Sequence, residues 1–284
     1  VAHQERSSDD YRRAWRKFKK NKAALIGLAI ICLLFITAVF APLLAPFDPT
    51  DLDLTNRYNS PNRTNLLGTD EFGRDVLSRI IYGSRIVVGV SFSATMLAAI
   101  FGITLGLLAG YFGGVLDAVI SRAADIMLAF PAFLLAIALV AVFGANTFNI
   151  IIIIAVTRTP RYARLVRGSV LSVKAKEYVE ATDAVGASTP RILFKHILPN
   201  CIGPVMVYAS LTLGDSILTV AGLSFLGLGV QPPTADWGVM LSRGKEYMLL
   251  APWMAIIPGI AIVLTVMGFN LLGDGLRDLI DPRD

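Results

Sequence analysis

The chain has 284 residues, 55% of them hydrophobic and 17% charged, with a mean hydropathy of +0.63. That balance is too apolar for a water-soluble globular domain and fits a chain whose main solvent is lipid. A formal net charge of +5 would suit nucleic acid, but the cations cluster beside apolar runs, where they orient membrane proteins, and Cys32 and Cys201 give neither a disulfide framework nor a metal-ligand spacing.

Eight basic residues precede the first apolar run: Arg6, Arg12, Arg13, Arg16, Lys17, Lys19, Lys20 and Lys22. Tyr11, Trp15, Phe18 and Lys22 recur among them at helical spacing. Residues 1–22 therefore read as a basic amphipathic helix on the anionic inner leaflet, an anchor rather than a regulatory segment. Six stretches reach the roughly 20 apolar residues that span a bilayer, near 23–45, 86–110, 118–143, 148–168, 203–229 and 252–275. The first exceeds a signal-peptide core and lacks a small-x-small cleavage site, so it is expected to stay attached as a true span within a permease domain of residues 23–284. A second cluster of eight cations lies between Arg158 and Lys195. Both clusters should face the cytoplasm, and six crossings place both termini there.

The outer loop, 46–85, contains Gly68-Thr69-Asp70-Glu71-Phe72-Gly73-Arg74-Asp75. Thr69 or Asp70 can cap a helix with Val76, Leu77, Ile80 and Ile81 as its apolar face, and Asp70 and Arg74 would lie one turn apart on it. The mixed charge of this loop reads as a solvated face. In the second span Gly102, Gly106 and Gly110 form a small-xxx-small face, expected to pack against a helix of the same chain, with a subunit interface as the alternative. In the third, Asp125 is expected to pair with Arg122.

The cytoplasmic region 158–202 holds a polar cassette, Glu180 to Pro199. Ala181 and Ala184 favour helix, and Gly186 can take the left-handed conformation that ends one. Thr189 and Pro190 read as the N-cap and first position of a second helix, closed by Pro199. In the fifth span Asp215 is an acid at mid-membrane, a costly placement with two readings: a contact in a solute pathway, or a hydrogen-bonded or protonated acid within the bundle. A phosphate-binding GxxxxGK[ST] run is absent, since Gly244-Lys245 has Val239 and Glu246 at the flanking positions. HExxH and GxSxG are absent too, so the sequence supports neither a metal site nor a hydrolase.

The spacing Glu180-Ala181-Thr182, three residues, Gly186, nine residues, Leu198-Pro199 resembles the EAA loop of bacterial ABC importer permeases, with Thr182 at the second Ala and His196 at the usual Ile. Gly68 to Asp75 with the following Leu77 to Arg85 resembles the GTDxxGRD signature of the branch serving dipeptides, oligopeptides and nickel. Agreement continues through Gly110-Tyr111-Phe112-Gly113-Gly114 with Asp117, Ser224 to Gly229, Gln231-Pro232-Pro233 with Asp236-Trp237-Gly238, and Phe269 to Asp278. Nearly the whole chain is covered, and the pattern is most similar to the second permease of the pair.

The resemblance implies an all-α, polytopic type I importer permease with six transmembrane helices, a non-catalytic subunit in the bacterial inner membrane. Its implied partners are a homologous permease, two ATPase subunits that bind ATP and Mg, and a periplasmic or extracellular binding protein, with no cofactor on this chain. Glu180, Ala181, Thr182, Gly186 and Ala187 would dock the ATPase. Asp215 and Ser216 would face the substrate passage, and Asp70, Gly73, Arg74 and Asp75 would pack over the outer mouth or meet the binding protein. The implied cargo is di- or oligopeptide; nickel chelates, glutathione and proton-coupled transport through Asp215 are the alternatives.

Overall fold

The structure, a computed structural model, describes residue 19 and residues 21–280; the expected amphipathic helix therefore lies almost wholly outside the described residues. Among the described residues nine principal helices carry the fold: α1 (Lys22–Val39), α2 (Val76–Phe112), α3 (Gly114–Leu128), α4 (Ala132–Phe143), α5 (Thr147–Lys174), α6 (Glu177–Ala184), α7 (Leu198–Phe225), α8 (Trp237–Glu246) and α9 (Trp253–Ile280). Each of the six expected spans falls on one of these helices or on a pair of them. Among the described residues four helices are long and apolar enough to cross a bilayer: α1, α2, the continuous Thr189–Phe225 and α9. Counted together as one span, the bent pair α3 and α4 would be a fifth.

Two of the spans differ from expectation in form. The third is not one rod: α3 and α4 meet at 90°, because Pro131 at the N-cap of α4 has no N–H to continue the ladder from α3. The fourth coincides with α5, but Arg158, Arg161, Arg164 and Arg167 give that helix a charge every turn, which leaves it outside the apolar set. It is instead held by burial of Ile150, Ile154, Tyr162, Val166 and Val170.

The described residues divide into two compact units, those up to Val90 with those from Ser210 onward, and Ser91–Ala209. In the first unit α1 lies directly on α9, where a β-carbon on Gly27 would come 2.7 Å from the Gly268 carbonyl oxygen. Ile31, Leu34, Val76, Val87, Ile217, Trp237, Met240, Ile262 and Phe269 form its core. In the second unit the glycine face of α2 meets α5: β-carbons on Gly102, Gly106 and Gly110 would stand 2.2 Å from the Tyr162 Cβ, 2.6 Å from the Ala163 O and 2.7 Å from the Val170 Cβ. The face thus serves packing within the chain, bringing two backbones into contact as small residues allow.

Candidate functional site

The cassette is an ordered corner built into the second unit. Helix α6 starts with Glu177 and Glu180 in its first turn, where carboxylates favour the helix dipole. It ends in a Schellman turn: Gly186 has φ +78°, and the Ala187 N–H donates to the Thr182 carbonyl at 3.3 Å. The next helical turn, Thr189–Arg191, has Ser188 rather than Thr189 as N-cap, so Pro190 takes the second helical position. That place costs nothing, since the first four N–H groups of a helix have no partner within it.

Pro199 does not close this helix. The chain passes through a π-helical stretch, Ile192–Ile197, and runs on as α7 to Phe225. The Leu198 N–H donates to the Leu193 carbonyl five residues back, and this wider turn accommodates the proline ring that would otherwise press on a carbonyl of the preceding turn. The missed signal is an apolar spacing that stays unbroken across the proline.

Three apolar side chains anchor the cassette. Val179 from α6, with Ile192 and Ile197 from the π-helix, is buried in one core with Leu107 of α2 and Tyr162, Val166, Val170 and Val173 of α5. The two limbs are also tied by Asn200, whose Nδ2 donates to the Tyr178 Oη at 3.3 Å and the His196 carbonyl at 2.7 Å, and by the Tyr178 and His196 rings, 6.4 Å apart. Glu180, Ala181 and Gly186 are exposed, while Thr182 and Ala187 are half-buried. The Thr182 hydroxyl donates back to the Tyr178 carbonyl at 2.6 Å, and Ala187 packs on the core. Of the five expected docking residues, three therefore face outward and two brace the corner. Beside Glu180 a cavity of about 310 Å³ is lined by Tyr111, Leu171, Lys174, Ala175, Val179 and Ile192.

The outer-loop motif is a buried knot, contrary to the solvated helical face expected of it. Helix α2 begins only at Val76, and its cap is Asp75, whose carboxylate accepts from the Ser78 N–H and hydroxyl, both at 2.8 Å. Asp70 lies before the helix. Its Oδ1 accepts from the Phe72 and Arg74 N–H groups at 2.8 and 3.0 Å, and its Oδ2 meets the Arg74 Nε at 2.7 Å. Gly73 has φ +76°, and a β-carbon there would sit 1.7 Å from the Asp53 carbonyl oxygen. Trp253 closes the knot through an indole N–H on the Thr69 carbonyl at 3.1 Å. Asp70, Glu71, Arg74, Asp75 and Arg79 are all buried. Burial, and then the Asp70 charge, raises the Glu71 carboxyl above its ordinary range. Burial does the same to Asp236, which caps α8 by accepting from the Val239 N–H at 2.9 Å.

Asp215 lies on the exposed side of α7 and Ser216 is fully buried, so neighbouring positions on one helix point to different surroundings. Asp125 pairs not with Arg122 but with Arg164 of α5, Nη2 to Oδ1 at 2.6 Å. Asp117 makes a second link, a two-pronged one, to Arg167 at 2.5 and 2.7 Å. Sequence reading missed both links, for which the arginines at every third position of α5 were the only signal.

Comparison with known proteins places this geometry. Residues 102–283 match the family model described as the binding-protein-dependent transport system inner membrane component. Residues 11–61 match the N-terminal TM domain of oligopeptide transport permease C. The dipeptide transport system permease protein DppC of Alkalihalophilus pseudofirmus is 47% identical over 96% of this chain and 90% of its own length. The glutathione transport system permease protein GsiD of Pectobacterium atrosepticum is 43% identical over 96% and 91%. Among solved structures, an inward-facing MetNI methionine ABC transporter chain shares the fold, with a TM-score of 0.56 and 19% identity over 72% of this chain and 97% of that one.

Proposed function

The chain belongs to the binding-protein-dependent inner membrane permeases of ABC transporters, and from that premise we propose that it is the permease subunit of an ATP-driven importer of di- or oligopeptides. As a member of that family it is a transport component and not an enzyme. The observation that carries the proposal is the cassette: an exposed corner at Glu180, Ala181 and Gly186 whose inner side, through Val179, Ile192 and Ile197, is packed into the helix core. A polar connection that only joined two spans would not need such anchoring. A surface that receives force from a partner would.

In this reading Glu180, Ala181 and Gly186 meet an ATPase subunit, with Thr182 and Ala187 holding the corner in shape. ATP and Mg are bound by that partner. Closure of two ATPases on ATP moves the cassettes of this chain and of a homologous permease, and the bundle alternates between outward and inward access. The chain sits in the bacterial inner membrane with both termini in the cytoplasm, so the Asp70–Asp75 knot lies on the outer side, where a binding protein delivers cargo. Asp215 and Ser216 are the candidates for the passage. The dipeptide relatives support a peptide cargo, and the 43% identity to the GsiD relative gives glutathione, itself a tripeptide, as the second reading.

The test is uptake by proteoliposomes holding the purified complex. Dipeptide entry should require ATP and binding protein and should survive collapse of the proton gradient. Uptake that persists without ATPase subunits and stops when the gradient is collapsed would sink the proposal in favour of a proton-coupled carrier working through Asp215.

A further inference from the structure

Helix α3 is attached to its unit in an unusual way. The core that joins α2, α5, α6 and the π-helix draws no side chain from α3 or α4 among the described residues. Ala124 is the buried residue of α3, while Val115, Val119 and Ile126 are exposed. Between α3 and α5 lies a cavity of about 250 Å³, lined by Ala109, Ile120, Ser121, Ala124, Asp125, Ala163, Arg164 and Arg167. Besides the packing of α3 on α5, two ion pairs bridge it. Asp117 takes the Arg167 Nε and Nη2 at 2.5 and 2.7 Å and is steadied by the Ser121 hydroxyl at 3.0 Å; Asp125 takes the Arg164 Nη2 at 2.6 Å.

The spacing of the pairs has a mechanical meaning. Asp117 and Asp125 are eight residues apart, about 12 Å along α3, whereas Arg164 and Arg167 are three apart, about 4.5 Å along α5. Two arginines from one turn thus fan out to two points on a crossing helix. Two such points resist a pivot of α3 more than one would, the half-buried, two-pronged Asp117–Arg167 link more firmly than the exposed Asp125–Arg164 pair.

Helix α5 is also the helix that enters the cassette. It ends at Lys174, whose Nζ donates to the Tyr111 carbonyl at 2.8 Å, and α6 begins three residues later at Glu177. At the other end of the linkage α3 turns by 90° into α4. A tilt of α5 imposed at the cassette therefore reaches the α3–α4 corner through the arginine–aspartate ties as well as through the direct packing of α3 and α4 on α5, where Ala124, Ala136 and Val140 are buried.

We propose that Asp117 with Arg167, and Asp125 with Arg164, are positioning residues that transmit displacement of the cassette from α5 to the α3–α4 corner. This rests on the cassette being the ATPase socket, and the experiment separates the two ideas. The complete complex, with partner permease, ATPases and binding protein, is purified and reconstituted, and ATP hydrolysed per dipeptide transported is measured. In Asp117→Asn the ATPases should copurify as in wild type and hydrolysis continue, while the ratio rises about tenfold, the size of effect expected when one strongly coupled contact is lost. The exchange Asp117→Arg with Arg167→Asp should return the ratio to near wild type. Arg122→Gln, which removes an exposed charge from the same helix without touching either tie, should leave it unchanged.

A wild-type ratio in Asp117→Asn would overturn the inference. So would an exchange variant that assembles yet keeps the raised ratio, or loss of ATPase from the Asp117→Asn complex, which would make the ties supports of assembly. Absence of ATPase from the wild-type complex would instead remove the socket reading itself.

Discussion

Gly186→Val, read beside Gly186→Asn, tests backbone strain at the cassette. Gly186 has φ +78°, and a β-carbon built there would meet nothing within 4 Å, so no clash within the chain contributes. What remains is the cost of holding a β-branched L-residue in the left-handed region, roughly 1–2 kcal/mol. That is far too little to unfold a chain whose helices are buried against one another, and it corresponds to a factor of roughly 5 to 30 in the population of the native turn. Relief comes by unwinding the Schellman turn, which releases the Ala187 to Thr182 bond and displaces Glu180 and Ala181. Gly186→Asn is the matched control, because asparagine tolerates the left-handed region far better. The expected order of dipeptide uptake at equal membrane abundance is wild type, then Asn, then Val, with copurified ATPase or the coupling of hydrolysis to uptake falling in step. A well-expressed Val variant with wild-type uptake would refute the assignment of this corner as the docking site. Equal loss in Asn and Val would show that side-chain bulk at a contact, and not the backbone, is what matters.

Glu71 gives a prediction in pH. Its carboxyl is raised by burial and by Asp70, so the folded state favours the protonated form. The stability this contributes is fully present below the ordinary carboxylate range and is lost as pH rises through the raised value. Glu71→Gln should therefore melt at or above the wild-type temperature at pH 7.5, and the difference should shrink as the pH falls toward 4.5; a variant less stable at neutral pH would mean that the Arg74 contact outweighs burial. Asp215→Asn addresses cargo: if the acid meets a peptide amino terminus, uptake of free-amine peptides should drop by about ten- to a hundredfold while N-acetylated peptides are spared. Equal loss for both classes would remove that contact.

Helix existence was legible because a run of apolar residues long enough to cross a bilayer has few other uses. The shape of the helices was less so. Pro131 sits between two apolar stretches that add up to one span by length, and hydropathy cannot register that the missing N–H turns the chain through 90°. Pro199 differs from expectation in the opposite direction, because a proline presses on the preceding turn only if that turn keeps its width. The π-helical stretch before it removes that condition. Both are effects of local hydrogen-bond geometry, invisible to composition.

The site divides along the same line. The left-handed Gly186 was readable from its residue type, since the turn that ends a helix selects for the absence of a β-carbon. The outer knot was not, because alternating charge normally signals water. Here Asp70 finds Arg74 and Asp75 finds Ser78 within four residues, while the groups that exclude water come from far away. Trp253 reaches Thr69 across 184 positions and Trp237 reaches Ile80 across 157. A sequence records the charges and the tryptophans separately, and only the fold sets one against the other. The same holds for Arg167 and Asp117, 50 positions apart: four arginines at every third residue of a helix predict a polar face, but whether that face meets water, lipid or an opposing carboxylate depends on which helix the chain lays across it. The polar ties between α3 and α5 were therefore the part of the molecule least open to sequence reading.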